Sequence, residues 1–471
     1  MGLFDFSKRR ERSAKRALNF DGGGEGQDEH PALFRPASKR HPLPKDNFPR
    51  FRSSASDQLE PSAQDRFAAT RLKLRSAFTP AQPVIDRRMF AGRLELLRAL
   101  IDGIEDQRLH VVLFGDRGMG KTSTLHMLTQ AARDARYVVV YVPCTVNTDF
   151  DEFFRAVASE IPVLYLNNYG PTSPEGEKGA MLVDVLPQSP ISVRVASELC
   201  ARLAGTRVLI MVDEFDRTGS ADFRRNVADF LKNLSDRSAR TQLVIAGVAA
   251  NLTEIIAEIP SIQRNILAVE ILKMAPAELR ELVAHGQQAC GLTFDAQAID
   301  LIVAAADGFP YLASLLAQHA GLAALQERRL VVTRDDVASA IADALNELKG
   351  RMSRRAQTHV AGLARDGAYK VLGRLAGLVK LSNGTFSEAD IDMVQPSPEL
   401  AARCRTVLNI LAADAKLIER FEDEFGNQYR FIEPAVPQYL WLLVFQSRVI
   451  EDEASQQSPA ARAAPAKSQV P

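Results

Sequence analysis

The stretch VVLFGDRGMGKTSTLHML, residues 111–128, constrains this chain more than any other. Val111 to Phe114 read as a short buried strand, and the residues after Lys121 read as a helix. Between them Gly115-Asp116-Arg117-Gly118-Met119-Gly120-Lys121-Thr122 fits the spacing G-x-x-x-x-G-K-[ST]. Glycines let successive backbone N–H groups converge on phosphate oxygens, and a helix that starts near Gly120 points its N-terminus at the same negative charge. Lys121 is placed to reach the β and γ phosphates, the Thr122 hydroxyl to ligate Mg²⁺, and Ser123 completes the loop's contribution to the cofactor. The alternative is a glycine-rich turn that matches by chance. The strand before and the helix after are the context the motif needs.

Further apolar, β-branched runs occur at Leu109–Phe114, Tyr137–Val142, Val208–Val212 and Gln242–Val248, with helical stretches between them. Continuous apolar strands alternating with helices indicate an α/β chain with a parallel sheet covered on both faces. A Pro/Gly-rich insertion around 168–190 interrupts the series as a long loop, of a length more often functional or mobile than structural. The run VLIMVDEFDR, 208–217, is a strand ending in Asp213-Glu214. A carboxylate at that strand end can hold the hydration shell of Mg²⁺, and the adjacent Glu214 is placed to polarise an attacking water. An acid-rich helix start is the alternative reading; the pair of acids after a P-loop points to hydrolysis of ATP as well as binding.

From about Pro276 to Asn346 the period becomes helical, and residues 360–447 hold helical stretches followed by KLIERFEDEFGNQYRFIEP, two strands expected to join at Gly426-Asn427. Helices and then a hairpin describe a winged helix. Pro398 suits the first position of a helix to about Ala415, capped by Ser397, with Leu400, Cys404, Val407, Leu408 and Leu411 as its buried stripe. Only Arg403 and Arg405 are cationic along it, and Glu422-Asp423-Glu424 would repel phosphate, so a protein-interaction or autoinhibitory role is favoured over DNA reading.

These motifs resemble those of AAA+ and STAND ATPases, and among them the archaeal origin-recognition initiators and their bacterial relatives; the resemblance covers roughly 80–447. It implies an ASCE-type P-loop core. It also implies that FTPAQPVIDRRMFAGRLELLRAL, 78–100, leads into the core with Val84, Ile85 and Arg93 near the adenine; ordinary helix packing is the alternative. By the same resemblance Asn251 is the nearest candidate for the γ-phosphate sensor, although it equally suits a cap for the helix LTEIIAEI. Arg264, in PSIQRNILAVEILKM, is the candidate arginine finger for a neighbouring copy, or else a surface arginine. Where AAA+ lids often carry a sensor arginine, this chain has Gly308-Phe309-Pro310-Tyr311-Leu312. A G-x-P, with Pro310 at the site, is nearer the STAND pattern and implies a slow switch over a fast motor.

Composition narrows the partners. Lys plus Arg equals Asp plus Glu at 58 each in 471 residues, so any basic surface is local. Four scattered cysteines form no metal or disulfide pattern and read as small buried hydrophobes in a reducing compartment. No apolar run reaches the roughly 18 residues of a membrane span, and a cytoplasmic protein is expected. The basic N-terminus, with Lys8, Arg9, Arg10 and Arg12 after Leu3, Phe4 and Phe6, reads as a solvated tail or an anchor for an acidic surface. The expected order is a disordered basic tail (1–78), a P-loop ATPase core (79–270), a helical lid (271–350), a winged helix (351–448) and a disordered tail (449–471). The expected function is a nucleotide-controlled switch binding ATP and Mg²⁺ and acting on a protein partner, as a homo-oligomer if Arg264 works in trans. The alternative is a DNA-associated initiator-like or transposition-type ATPase.

Overall fold

The structure, a computed structural model, describes residues 66–237, 239–248, 260–365, 371, 385–387, 389–391, 397–414, 416–423, 426–433 and 435–457. Its centre is a parallel sheet of β1 (His110–Phe114), β2 (Val138–Pro143), β3 (Val208–Asp213), β4 (Thr241–Ala246) and β5 (Ile266–Glu270), in the order β2-β3-β4-β1-β5. Every residue of β3 and β4 is buried, and Val208–Val212 and Leu243–Ala246 within them read as unbroken apolar runs. Successive residues serve opposite faces. Ile210 and Val212 join a core rich in phenylalanine, with Phe153, Phe154, Phe223 and Phe230 from the helices Phe150–Ala158 and Ala221–Asp236. Leu209 and Met211 pack on the other side with Leu100, Leu125 and Leu128, from the helices Leu94–Glu105 and Lys121–Asp134. The edge strand β5 is only partly buried and lacks the signal that marks the other four.

The insertion around 168–190 is a built part of the core and not a loose loop. It holds a short helix, Pro174–Glu177, and a 3₁₀ turn, Leu182–Val185. Leu182 is fully buried in the phenylalanine-rich core, and Met181 bridges to Pro162. Its prolines and glycines shape turns, while a few apolar residues anchor them.

Four helices, Pro276–Cys290, Ala296–Ala306, Pro310–Gln326 and Arg334–Arg351, form a separate cluster beyond the sheet. Two-residue strands β6 (Thr293–Phe294) and β7 (Val331–Val332) tie its loops together. The expected tail 1–78 needs correction here, because residues Arg66–Ala77 are a helix whose Leu74, with Phe78 just beyond, is buried in this cluster. Gly286 and Gly321 make room for it. A Cβ on Gly286 would lie 2.0 Å from the Phe78 ring, and one on Gly321 2.8 Å from Leu74. The helix has only one narrow apolar line among Arg66, Arg71, Lys73 and Arg75, so its own sequence reads as a solvated charge run.

The C-terminal segment contains the helices Arg354–Arg365 and Pro398–Asn409, the latter continued by a π turn, Ile410–Asp414. The strands β8 (Thr385–Ser387), β9 (Ile418–Asp423) and β10 (Gly426–Phe431) form an antiparallel sheet in the order β8-β10-β9. Gly426 and Asn427 are paired strand residues, opposite Asp423 and Glu422, and not the turn expected from their dipeptide. Ser397 occupies the cap position without donating or accepting a side-chain cap bond. Cys404, Leu408 and Leu411 are buried as the expected stripe requires, and all four cysteines are free and buried. The expected C-terminal tail is also corrected. The last helix, Ala435–Gln457, runs past residue 449, and Val449 is buried in the lid cluster. Among the described residues no helix is long and apolar enough to cross a membrane.

Candidate functional site

Strand β1 ends in the loop 115–120, in which Gly115, Gly118 and Gly120 all have positive φ, at 134°, 84° and 88°. Side chains are strained there, and at Gly115 a Cβ would also meet the Ile271 carbonyl oxygen at 2.8 Å. Gly120 is the N-cap of the helix Lys121–Asp134, so the loop's backbone donors and the helix terminus face one place. Met119 turns its side chain into the core, 2 % exposed, while Arg117 stays exposed. Lys121 is buried and donates to the carbonyl oxygens of Gly115 and Asp116, each at 2.7 Å. Burial pulls its ammonium down to about 8, against the opposing pull of Asp216, Asp116 and Asp213. Burial likewise raises Asp116, with Lys121 and Lys273 acting against it.

Strand β3 delivers Asp213, 5 % exposed, to the side of this loop. Its Oδ2 accepts from Thr122 Oγ1 at 2.9 Å and from the Tyr141 hydroxyl at 2.5 Å; its Oδ1 accepts from the Glu214 backbone N–H at 2.9 Å. Glu214 follows in the left-handed region, φ 55°, and its carboxylate accepts from Arg217 Nη1 at 2.5 Å. Asp216 accepts from the Val248 N–H at 2.7 Å, tying the turn after β3 to the end of β4. Among the described residues no group of three or more His, Cys, Asp or Glu side chains converges as a metal cage. One hydroxyl beside one carboxylate instead suits a hard cation that keeps water and phosphate oxygens in its shell, as Mg²⁺ does.

These residues open on a cleft of about 770 Å³, within the size of small-ligand sites. The segment 79–84 and Phe90, Ala91 and Arg93 line one wall, and Met274, Leu282, Pro310, Tyr311 and Ser314 come from the lid. Among the described residues none of the lid side chains that line the cleft is basic. Pro310 starts the helix Pro310–Gln326, and Tyr311 lies over the loop: a Cβ on Gly118 would sit 3.5 Å from Tyr311 Cβ. Ser123 lines the cleft and accepts from the Val84 N–H at 3.0 Å.

Arg93, expected near the adenine, ties the phosphate loop to the lid. Its guanidinium donates to the carbonyl oxygens of Met119, in the phosphate loop, and of Leu272. The Gly92 and Arg93 N–H groups donate to Glu281 and Glu278 of the first lid helix, each at 3.0 Å. Burial lowers this arginine to about 10, with Glu278 acting against the shift. The expectation for Ile85 is corrected: it does not line the cleft and is 62 % exposed, since the chain turns it outward after Val84. Arg264 is exposed in the 3₁₀ turn Pro260–Asn265, outside this cleft. Asn251 lies outside the described residues.

Sequence reasoning missed Tyr141, Asp216, Arg217 and the lid carboxylates Glu278 and Glu281. Asp216 and Arg217 stood in the quoted run after β3, and Tyr141 was the one hydroxyl in an otherwise apolar strand. Glu278 and Glu281 gave no signal, because their partners are backbone groups more than 180 residues earlier, at separations of 185 and 189.

No curated protein matches the chain. Among solved structures it is similar to Cdc6p from Pyrobaculum aerophilum, at 15 % identity over 80 % of this chain and 98 % of that one, TM-score 0.43. It is also similar to the Aeropyrum pernix Orc1 protein solved in complex with DNA, at 17 % identity, the same coverage and TM-score 0.42. A third is a Walker-type ATPase of Pyrococcus abyssi, at 18 % identity over 76 % and 98 %, TM-score 0.46. The family model described as Novel STAND NTPase 1 matches residues 77–426. With a P-loop α/β core and a lid over one cleft, this chain belongs to the novel STAND NTPase 1 family.

Proposed function

We propose that the chain is a Mg²⁺-dependent ATPase whose nucleotide state switches its conformation toward a protein partner. The observation that carries this reading is the 2.9 Å hydrogen bond from Thr122 to Asp213, beside the buried Lys121. The hydroxyl and the carboxylate needed around a phosphate-bound Mg²⁺ lie within one cleft. Mg²⁺ supplies charge neutralisation on the transferring phosphoryl group. Lys121 exchanges its loop carbonyls for phosphate oxygens, Asp213 orients the hydration shell, and Glu214, once parted from Arg217, takes the proton of the attacking water.

The switch half of the proposal is supported by the last helix. It reads as part of a winged helix together with the three-stranded sheet and the helix Pro398–Asn409. Val436 and Leu440 belong to the C-terminal core, Leu442 and Val449 to the lid core, and Trp441 Nε1 donates to the Ala305 carbonyl at 2.8 Å. Gln438 approaches the phosphate loop: its Nε2 would lie 3.7 Å from a Cβ on Gly118. A change at the phosphates therefore has a short mechanical path to the C-terminal segment. Arg264, exposed and away from its own cleft, is read as acting on a neighbouring copy. A DNA-associated role is the second reading, favoured by the helix Arg66–Ala77, which carries four cations and no acid.

Turnover and hydrogen exchange should be measured together for the wild type, Lys121→Ala and Glu214→Gln. The expected result is no ATP binding for Lys121→Ala, binding without turnover for Glu214→Gln, and nucleotide-dependent exchange in residues 435–457. Wild-type turnover in Glu214→Gln would refute the assignment of the base, and exchange indifferent to nucleotide would refute the switch.

A further inference from the structure

The phenol of Tyr141 is unexplained by the phosphate loop and by the acid pair, yet it makes one of the shortest contacts in the cleft. Tyr141 lies on β2, on the same face of the sheet as Met211, and its strand runs parallel to β3 with Pro143 opposite Asp213. The register turns its side chain toward the acid two residues along. The ring stacks on His126 of the P-loop helix, centroids 5.4 Å apart and planes 10° from parallel. The hydroxyl donates to Asp213 Oδ2 at 2.5 Å, the same oxygen that accepts from Thr122 at 2.9 Å.

A carboxylate oxygen offers two lone pairs, so Thr122 and Tyr141 together saturate Oδ2. The Glu214 N–H holds Oδ1. Were the Thr122 hydroxyl to turn to a cation, one lone pair of Oδ2 would lose its donor. The Glu214 N–H would then hold the carboxylate by Oδ1 alone, and Oδ2 would keep its direction only through Tyr141. Tyr141 is the neutral donor that stays on Oδ2.

We infer that Tyr141 is a positioning residue for the metal, holding the Asp213 carboxylate in its cation-ready orientation. This rests on the reading of Thr122 and Asp213 as the Mg²⁺ residues. Tyr141→Phe removes the one hydroxyl and keeps the ring on His126, so the packing of β2 on the P-loop helix is retained.

The test is a titration with a fluorescent ATP analogue, in EDTA and across a Mg²⁺ series, on the full chain of wild type, Tyr141→Phe and Asp213→Asn. In Tyr141→Phe the metal-free affinity is expected to stay within about twofold of wild type, while the Mg²⁺ concentration for half-maximal tightening rises about fivefold or more, as for loss of a hydrogen bond to a charged group. An unchanged or lowered Mg²⁺ requirement in Tyr141→Phe overturns the inference. So does an equal loss of metal-free affinity, which would make the hydroxyl a support for the loop alone. Asp213→Asn separates the two levels: if it keeps the wild-type Mg²⁺ response, the metal reading itself fails, whereas a failure confined to Tyr141→Phe sinks only the positioning role.

Discussion

Burying Lys121 in a chain free of nucleotide carries a cost that pH can expose. Its ammonium moves from an ordinary 10.5 to about 8 on folding, chiefly through burial. At about 1.4 kcal/mol per tenfold change, that is about 3 kcal/mol against the folded state wherever both forms are protonated. The sign follows from proton binding. Above 10.5 neither state is protonated and the cost is absent; as pH falls, the unfolded chain takes its proton first, and the penalty grows until about 8, below which it is complete. Between pH 10 and pH 7, wild type should therefore lose about 2 kcal/mol that Lys121→Met does not lose. Urea unfolding followed by circular dichroism, without nucleotide or metal, measures the difference, and subtracting the variant cancels every other titrating group. Parallel pH profiles for the two proteins would refute the reasoning, because they would mean that the ammonium is as well solvated in the folded loop as in the open chain.

Three further outcomes follow from the geometry. Phe78→Ala empties a site between Gly286 and Phe294 and should destabilise the lid by about 3 kcal/mol, with faster proteolysis before residue 78; unchanged thermal unfolding would deny the helix its structural part. Arg93→Ala removes both carbonyl contacts between the phosphate loop and the segment leading to the lid, and should weaken ATP binding about tenfold, with Arg93→Lys between; equal affinities by nucleotide titration would contradict the clamp. In a Glu214→Gln background, ATP should raise the mass in solution and Arg264→Ala should abolish the rise, as light scattering would show; a rise that survives removes Arg264 from any shared site.

The phosphate loop, Thr122 and Asp213 were legible without a structure, because each is encoded locally: glycines at positive φ, a lysine at a helix start, an acid closing an apolar strand. The α/β class was legible for the same reason, since a strand covered on both faces reads as a near-continuous apolar run. Strand β5 was not, because only Ile266 of its residues is buried, whereas β2, the other edge, buries Val139, Val140 and Val142. Residues 66–77 and 449–457 read as tails in the sequence, since their few apolar side chains have no partners nearby in the chain. Only folding brings Leu74 against Gly321 and Val449 into the lid. Tyr141, Arg93 and the carboxylates of Glu278 and Glu281 belong to the same class. Local sequence determines which chemistry a strand end or loop can offer. Which hydroxyl holds the acid, and which backbone the lid grips, is decided by contacts between residues 72 to 189 positions apart, and those exist only once the sheet and the lid are packed.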